Sequence, residues 1–334
     1  MKKRFTFAFL ALGLPFIAYN QVTTILTGLN EPSGLEFKGN ELFIAEYGNA
    51  IATEGKILKT NITDASPTAT DVITNLTGPW HLKFKDNDLF IAHYWESEIL
   101  KSDVSIPNPT IDIILSAGIN GPSGLELVGN DLYISDYNNP SILKIDITEI
   151  SPTANVILPN LSGPTGLLHH ANEIYVANYF SGSIYKFNIN QPLDTISILT
   201  GLNTPDDMVL YGNHLFYSEY GAGTISKLDL STTDETPQVV ASNLEGPTGI
   251  AIKEGILYFT ERTGGKLSKI YVLAGDSDDN GIIDGNEIAG DIDGNGTIDG
   301  NELAGDIDGS GAINGNEELG DTNGNGTIDG TEVA

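Results

Sequence analysis

Gly246-Pro247-Thr248-Gly249-Ile250, followed after a short gap by Leu257-Tyr258-Phe259-Thr260-Glu261, is the stretch of sequence that decides the fold. A Gly-Pro pair leads into an apolar residue, and a second, more apolar run begins after a two-residue turn. The same phrase, a proline followed three residues later by an apolar residue, occurs six times, with prolines at 32, 79, 122, 164, 205 and 247. The intervals are 47, 43, 42, 41 and 42 residues, which indicates one repeated structural unit.

Each repeat has the pattern of four short strands. The first strand follows the proline, as in residues 124–127, and the second is the most apolar, as in residues 132–135. Two-residue turns rich in Asn and Gly, which tolerate positive φ, separate these strands: Gly39-Asn40, Asp86-Asn87, Gly129-Asn130, Ala171-Asn172, Gly212-Asn213 and Glu254-Gly255. Four antiparallel strands repeated six times predict an all-β, six-bladed β-propeller. A stacked solenoid is the alternative.

The two ends of the repeat region complement each other. Residues 22–29 have the pattern of a fourth strand with no first three before it, and the last repeat ends near residue 273 without a fourth strand. An N-terminal strand that completes the last blade would close the ring and remove two exposed sheet edges. We therefore predict a propeller domain over residues 21–273.

These repeats resemble the NHL-repeat, gluconolactonase-like and streptogramin-lyase-like six-bladed propellers, and the stretch from Gly246 to Glu261 is most similar to the lyase type. The gluconolactonase-like propellers hold a central metal with acid and amide side chains and use it to hydrolyse lactones, and the resemblance implies the same for this chain. The lyase-like propellers use a metal and a histidine to catalyse an elimination reaction, which the resemblance implies as a second possibility. This chain departs from the lyase pattern, because its Gly-Pro-x-Gly phrases carry Ser or Thr where that histidine is expected, and His81 lies one place later.

A polar residue ends the second strand of every repeat, near one mouth of the predicted channel: Glu46, His93, Asp136, Asn178, Glu219 and Glu261. Carboxylate, amide and imidazole groups that converge there suit a ligand or a single divalent metal such as Ca²⁺, Mg²⁺ or Mn²⁺. The alternative is structural, with these side chains accepting hydrogen bonds from loop amides and holding the blade corner. The residues that follow them are five tyrosines and Arg262, which either pack between blades or form a platform for a sugar.

Two repeats differ from the others in the first strand. His81 in the second repeat and Asp207 in the fifth replace a glycine of the other four, and these repeats lie opposite each other in a ring of six. Together with His93 and Glu261, they are the candidate catalytic residues. Convergence of several of them within reach of one metal would favour a metal-dependent hydrolase or lyase. Without it, the chain is better interpreted as a binding or surface interaction protein for a small molecule, a glycan or a protein.

The C-terminal residues 274–334 form a separate region with four tandem twelve-residue loops of EF-hand pattern, which predict Ca²⁺ binding. Each loop has short oxygen ligands at positions 1, 3 and 5, a backbone carbonyl at position 7 and a glutamate at position 12. The predicted ligands are Asp276, Asp278, Asn280, Ile282, Glu287; Asp291, Asp293, Asn295, Thr297, Glu302; Asp306, Asp308, Ser310, Ala312, Glu317; Asp321, Asn323, Asn325, Thr327 and Glu332. A disordered acidic tail is the alternative.

The spacing of these loops leaves no room for the helices of an ordinary EF-hand, since only three residues separate one loop from the next. The tail resembles dockerin and thrombospondin type 3 calcium repeats. It holds 16 of the 45 acidic residues and none of the 16 Lys and Arg, so without Ca²⁺ its charges repel and its low apolar content cannot support folding. We predict a tail that Ca²⁺ makes rigid.

Composition excludes several classes of function. The formal net charge of −29 argues against nucleic-acid binding, which needs Lys and Arg on phosphates. The absence of cysteine excludes disulfides and thiol chemistry. Residues 1–20, with Lys2, Lys3 and Arg4 before an apolar run, have the pattern of a secretory signal peptide, and an uncleaved anchor is the alternative. We predict a secreted or cell-surface protein with no membrane insertion after cleavage.

Overall fold

Six four-stranded antiparallel sheets are present in the computed structural model, which describes residues 22–48, 54–231 and 236–272. The predicted signal peptide and the predicted calcium loops lie outside the described residues. Blades 1 to 3 comprise β2 (Pro32–Lys38), β3 (Glu41–Glu46), β4 (Gly55–Asn61), β5 (Thr70–Leu76); β6 (Pro79–Lys85), β7 (Asp88–His93), β8 (Glu98–Asp103), β9 (Asp112–Leu115); β10 (Pro122–Val128), β11 (Asp131–Asp136), β12 (Ser141–Asp146) and β13 (Asn155–Pro159). Blades 4 to 6 comprise β14 (Pro164–His170), β15 (Glu173–Asn178), β16 (Ser183–Asn188), β17 (Gln191–Thr200); β18 (Pro205–Tyr211), β19 (His214–Glu219), β20 (Thr224–Asp229), β21 (Gln238–Ala241); β22 (Pro247–Lys253), β23 (Ile256–Glu261), β24 (Lys266–Tyr271) and β1 (Thr23–Thr27).

The blades form a closed ring. The first strand of each blade contacts the first strand of the next, and β22 of blade 6 contacts β2 of blade 1. A solenoid would leave its first and last repeats apart. The prediction of an all-β six-bladed propeller is therefore confirmed.

The ring is sealed by the N-terminal strand, as the sequence predicts. Strand β1 pairs antiparallel with β24, with Thr23 opposite Lys269 and Thr27 opposite Lys266. The order in this sheet is β1-β24-β23-β22, so the first of the described strands is the outermost strand of the last blade. Without it, β24 would present an unpaired edge to solvent.

The two-residue hairpins between the first and second strands have positive φ at their first residue in all six blades. The residue is Gly39, Gly129 or Gly212 in three blades, and Asp86, Ala171 or Glu254 in the others. In five blades only the first turn residue has positive φ, as in a type II′ turn, whereas blade 6 has positive φ at both Glu254 and Gly255, as in a type I′ turn; the twist of both turn types matches that of the flanking strands. The Asn of the predicted turns thus lies at the second position, after the left-handed residue.

The hydrophobic core is divided among the interfaces between blades. Between blades 1 and 2, for example, Phe43 and Ile57 pack against Leu82 and Ile91, all at 1% exposure or less. Each interface therefore buries one face of two sheets, and removal of any blade would expose apolar surface. The described residues contain no helix whose length and apolar character would let it span a bilayer.

Deletion of residues 22–27 should lower the melting temperature of the propeller strongly, because blade 6 then loses its outer strand and Leu26 leaves the cluster around Leu267. Circular dichroism would follow the melt. Truncation at residue 273 is the control and should leave the transition unchanged. Equal melting temperatures for the 22–27 deletion and the full chain would refute closure by β1.

Candidate functional site at the propeller mouth

The six polar residues that end the second strands, here called the clamp residues, hold the loops of their own blades. The side chain of each accepts a hydrogen bond from the backbone N–H sixteen residues earlier in the chain. The pairs are Asn30 to Glu46 (2.8 Å), Thr77 to His93 (2.9 Å), Asn120 to Asp136 (3.1 Å), Ser162 to Asn178 (3.2 Å), Asn203 to Glu219 (2.8 Å) and Glu245 to Glu261 (2.9 Å). All but Glu219 are buried.

A second hydrogen bond ties the next residue to the same loop. In every blade its backbone N–H donates to the carbonyl of the residue before the proline, as from Tyr47 to Glu31 (3.1 Å) and from Arg262 to Gly246 (2.8 Å). That acceptor residue has positive φ in all six blades, which explains why glycine occupies four of the six positions. The two bonds together fix where the residue after each clamp residue leaves the strand.

Further polar atoms of His93 and Glu261 are also used within their own blades, whereas Nδ2 of Asn178 is buried without a hydrogen-bond partner among the described residues. His93 accepts from Thr77 at Nε2, so its Nδ1 carries the proton and donates to Glu98 at 3.3 Å. Glu261 accepts from the hydroxyl of Ser268 at 2.7 Å. Among the described residues no three His, Asp or Glu side chains are grouped so that they could hold a metal ion. The clamp residues thus act as positioning residues in this structure.

His81 and Asp207 meet across the channel. Nδ1 of His81 accepts from the N–H of Leu125 at 3.3 Å, so Nε2 carries the proton and faces Oδ1 of Asp207 at 3.4 Å. The Asp207 carboxylate also accepts from the N–H groups of Met208 (2.8 Å) and Ile250 (3.0 Å). Both side chains are buried, and the pair joins blade 2 to blade 5 through the middle of the ring.

The glycines at the equivalent place in the other blades make room for this arrangement. A Cβ on Gly34 would lie 2.8 Å from the Cα of His81, and one on Gly166 would lie 2.7 Å from the Cα of Asp207. The inner strands are therefore too close for a side chain in every blade. Two opposite blades supply the side chains that fill the channel.

A small cavity of about 170 Å³ lies on one side of this bridge and includes His81 and Asp207 in its wall. Lys83 forms ion pairs there with Glu126 at 3.0 Å and Glu36 at 4.0 Å. Burial raises the pKa of Glu36, while Lys83 opposes that shift. The charged groups of this cavity are paired with one another.

A larger cavity of about 780 Å³, here called the mouth cavity, opens at the clamp end of the channel. Its wall is formed by the six residues that follow the clamp residues, here called the mouth ring: Tyr47, Tyr94, Tyr137, Tyr179, Tyr220 and Arg262. Successive tyrosines are 6.0 to 6.3 Å apart between ring centroids, so each packs against its neighbour in the next blade. Trp80 and Trp95 complete an aromatic wall. The tyrosines therefore both pack between blades and face the cavity.

Arg262 is held by two aromatic side chains and one carboxylate of the cavity wall. Its guanidinium lies 4.3 Å from the centroid of Tyr47 and 4.7 Å from that of Trp80, and its Nη2 donates to Glu31 at 2.8 Å. Burial raises the pKa of Tyr47 to about 12, against the opposing effect of Arg262. The cation is thus enclosed by neutral aromatic faces on two sides and neutralised by one carboxylate.

Asp206 is the residue of this cavity that sequence reasoning missed. It follows the proline, at a position that is Ser or Thr in four blades, where the hydroxyl donates to the proline carbonyl of the next blade, as from Ser33 to Pro79 at 3.1 Å and from Thr248 to Pro32 at 3.2 Å. Asp206 makes no such bridge. It is 3% exposed, its Oδ1 is buried without a hydrogen-bond partner, and it belongs to the wall of the mouth cavity.

The environment of Asp206 shifts its protonation. Burial, reinforced by the charge of Asp207, raises the pKa of Asp206 to about 7, while Arg262 and His81 act in the opposite direction. The signal in the sequence is the repeat itself, because Asp206 and Trp80 are the two departures from Ser or Thr at this position. Blades 2 and 5 are thus exceptional at two successive residues.

Comparisons with known proteins support the fold. No protein-family model matches the chain, and no curated protein matches it. A chain in the crystal structure of a nidogen/laminin complex is similar to it over 62% of this chain and 79% of its own length, with 19% identity and a TM-score of 0.54. The match to the computationally designed Ika8 protein spans 72% of this chain and 71% of the Ika8 chain, with 15% identity and a TM-score of 0.48. In all, 1136 chains match, and a fold shared this widely does not specify an activity.

Asp206→Asn should raise the melting temperature above pH 7, by roughly 5 °C, and should have little effect near pH 4. The raised pKa means that the native state holds its proton more tightly than the unfolded state, so stability present below about pH 4 is lost as the pH rises through about 7. The amide removes that loss. Thermal melts across this pH range provide the measurement.

The neighbouring substitution Asp207→Asn is the matched control. It disturbs a carboxylate that accepts hydrogen bonds from two backbone N–H groups and faces His81, so it should destabilise the protein above pH 7. Destabilisation by Asp206→Asn at pH 8 would contradict the reading of Asp206 as an unpartnered buried acid.

Proposed function

We propose that the propeller is a binding module that takes up a small organic ligand, or an extended side chain of a larger one, in the mouth cavity. The observation that carries the proposal is a cavity of about 780 Å³ with an aromatic wall. That wall includes the buried carboxylate of Asp206, whose Oδ1 has no hydrogen-bond partner. Ligand sites are typically concave and lined by apolar and aromatic groups, with a few polar groups that fix orientation. Both parts of that description are met at this mouth.

Catalysis by a metal-dependent hydrolase or lyase is the alternative, and it would use His81, Asp207, His93 and Glu261. The hydrogen bonds of these residues favour binding over catalysis. His93 and Glu261 are held by their own blades, and Asp207 accepts two backbone N–H groups besides facing His81. A shared centre would require several of these bonds to break. Kinship with the NHL-type propellers is part of the proposal and rests on the repeated proline phrase.

A protein partner is the second form that the ligand could take. Trp95 is 49% exposed and Phe180 is 67% exposed, and both contact tyrosines of the mouth ring. Exposed aromatic side chains around a pocket are typical anchors of protein interfaces. The similar chain in the crystal structure of a nidogen/laminin complex is 19% identical to this one, and a likeness at that level supports the fold and does not identify a partner.

We also propose that the protein is exported and that the four C-terminal loops bind Ca²⁺. The support is the sequence pattern alone, since the loops lie outside the described residues. The ligand types at fixed offsets suit Ca²⁺, and metal bound only by the ordered loops would convert binding energy into folding energy. In this proposal the tail is a stiff attachment for the propeller when Ca²⁺ is present.

Tryptophan fluorescence should report ligand binding with little background, because Trp80 and Trp95 are the two tryptophans of the chain and both line the mouth cavity. We expect at least one of three probes with the same arene, 3-phenylpropan-1-ol, 3-phenylpropylamine and 3-phenylpropanoate, to change the emission saturably at millimolar concentrations. Tyr179→Ala should weaken that binding about fivefold. Tyr271→Ala removes a tyrosine outside the mouth and should have no effect. No change with any probe would refute the binding proposal.

Calorimetric titration with Ca²⁺ should find about four sites, one for each loop. Glu317→Gln removes the predicted bidentate ligand of the third loop and should abolish about one site. Glu318→Gln is the matched control, since it removes the same charge one residue outside the predicted ligand set. Equal loss with both variants would show that the tail attracts Ca²⁺ by net charge alone.

A further inference from the structure

We propose that the mouth cavity recognises an organic cation, such as a protonated amine, a quaternary ammonium or a guanidinium group, bound by the carboxylate of Asp206 beside the rings of Tyr137 and Tyr179. This inference rests on the proposed binding function and names the chemical class of the ligand.

The charges of the cavity wall support a cation. Its charged side chains are Glu31, Asp206 and Arg262, which sum to −1 when all are ionised. Arg262 is an ion-pair partner of Glu31 at 2.8 Å, and no hydrogen bond or ion pair joins it to Asp206. Among the described residues, Asp206 is therefore a carboxylate with no side chain that forms a hydrogen bond or ion pair with it. A buried carboxylate without a partner is costly, and a ligand cation would offset that cost.

The aromatic rings near Asp206 support the same class. Tyr137 and Tyr179 lie in the same cavity wall as Asp206, and burial, with a contribution from the Asp206 charge, raises the pKa of each against the opposing charge of Arg262, so both rings remain neutral at physiological pH. Neutral tyrosine faces attract cations through their quadrupole. A carboxylate next to two such rings is a site with charge and π-face complementarity to an alkylammonium or guanidinium group.

The protein itself contains an example of this arrangement. Arg262 lies over Tyr47 and Trp80 and is paired with Glu31, so one side of the mouth combines a carboxylate, two aromatic rings and a cation. Asp206, Tyr137 and Tyr179 supply a carboxylate and rings in the same wall, and among the described residues Arg262, whose charge acts on all three, forms its ion pair with Glu31 instead. The ligand would supply the cation that Arg262 supplies on the other side.

An anionic ligand fits this wall less well. Arg262, the cation of the described wall, is already paired with Glu31. An anionic ligand would therefore enter a cavity of net negative charge that contains Asp206. A neutral ligand would leave Asp206 to accept hydrogen bonds and would gain only from the aromatic wall. Charge preference among ligands of one shape therefore separates the three classes.

The test measures the affinities of 3-phenylpropylamine, 3-phenylpropan-1-ol and 3-phenylpropanoate for the full chain by tryptophan fluorescence and calorimetry. At about pH 8.5 an alkylamine is protonated and the carboxyl of Asp206, with a pKa of about 7, is ionised. We expect the amine to bind at least about tenfold more tightly than the alcohol, and the carboxylate to bind most weakly.

The variants assign that preference to one residue. Asp206→Asn should bring the affinity for the amine down to that for the alcohol, while leaving the alcohol within about twofold. Asp206→Glu keeps the charge and should keep the preference for the amine. Asp112→Asn removes an exposed acid of β9 outside the mouth and should change neither affinity.

The outcomes are distinguishable. Equal affinity for amine and alcohol in the unmodified protein would overturn the cation class and leave the binding function standing. Tighter binding of 3-phenylpropanoate than of the amine would also overturn the cation class. If Asp206→Asn keeps a native melting transition and still prefers the amine, the role of Asp206 is overturned. Absence of binding by all three probes would overturn the binding function itself.

Discussion

One hydrogen bond, repeated in each of the six blades, determines the geometry of the propeller mouth. The backbone N–H two residues before each proline donates to the side chain that ends the second strand, and that bond holds the loop against its own blade. The requirement is an acceptor at a given place, and Glu, His, Asp and Asn all meet it. This explains how the chemical identity of the clamp residue varies while the position of the next residue does not. The mouth ring, and with it the mouth cavity, depends on these bonds.

The sequence predicts the fold well because the fold depends on features that repeat. Proline spacing, two-residue turns and the unmatched strand at residues 22–29 each indicate a propeller, and each is found in the structure. Ala171, at the left-handed position of its hairpin, shows the limit of turn propensity, since the adjacent Asn172 would adopt positive φ more readily. The strand register decides which of the two residues occupies that position.

The candidate site was harder to predict, because the same oxygen atoms bind a metal or cap a loop. Residue type identifies Glu46 or Asp136 as an acceptor, and only the direction of the side chain shows that a loop N–H is the donor. The tyrosines were ambiguous for a similar reason, since one ring both packs against the tyrosine of the next blade and lines the cavity. The sequence does not single out Asp206, because the stronger departure from the repeat is at the neighbouring position, where His81 and Asp207 replace a glycine. His81 and Asp207, from opposite blades, do meet, and they belong to the wall of the small cavity.

The pairing of β1 with β24 also constrains the order in which the chain folds. Thr23 lies opposite Lys269, so the closing contact joins residues 269 − 23 = 246 positions apart. The loop-closure entropy of such a contact must be met before the contact itself contributes, which makes long-range pairing slow. Among the described strands β1 is synthesised first, and until β24 exists it has no native partner. During synthesis β1 therefore has an unpaired edge until β24 is made, so the pairing that closes the finished ring also delays the moment at which it becomes a ring.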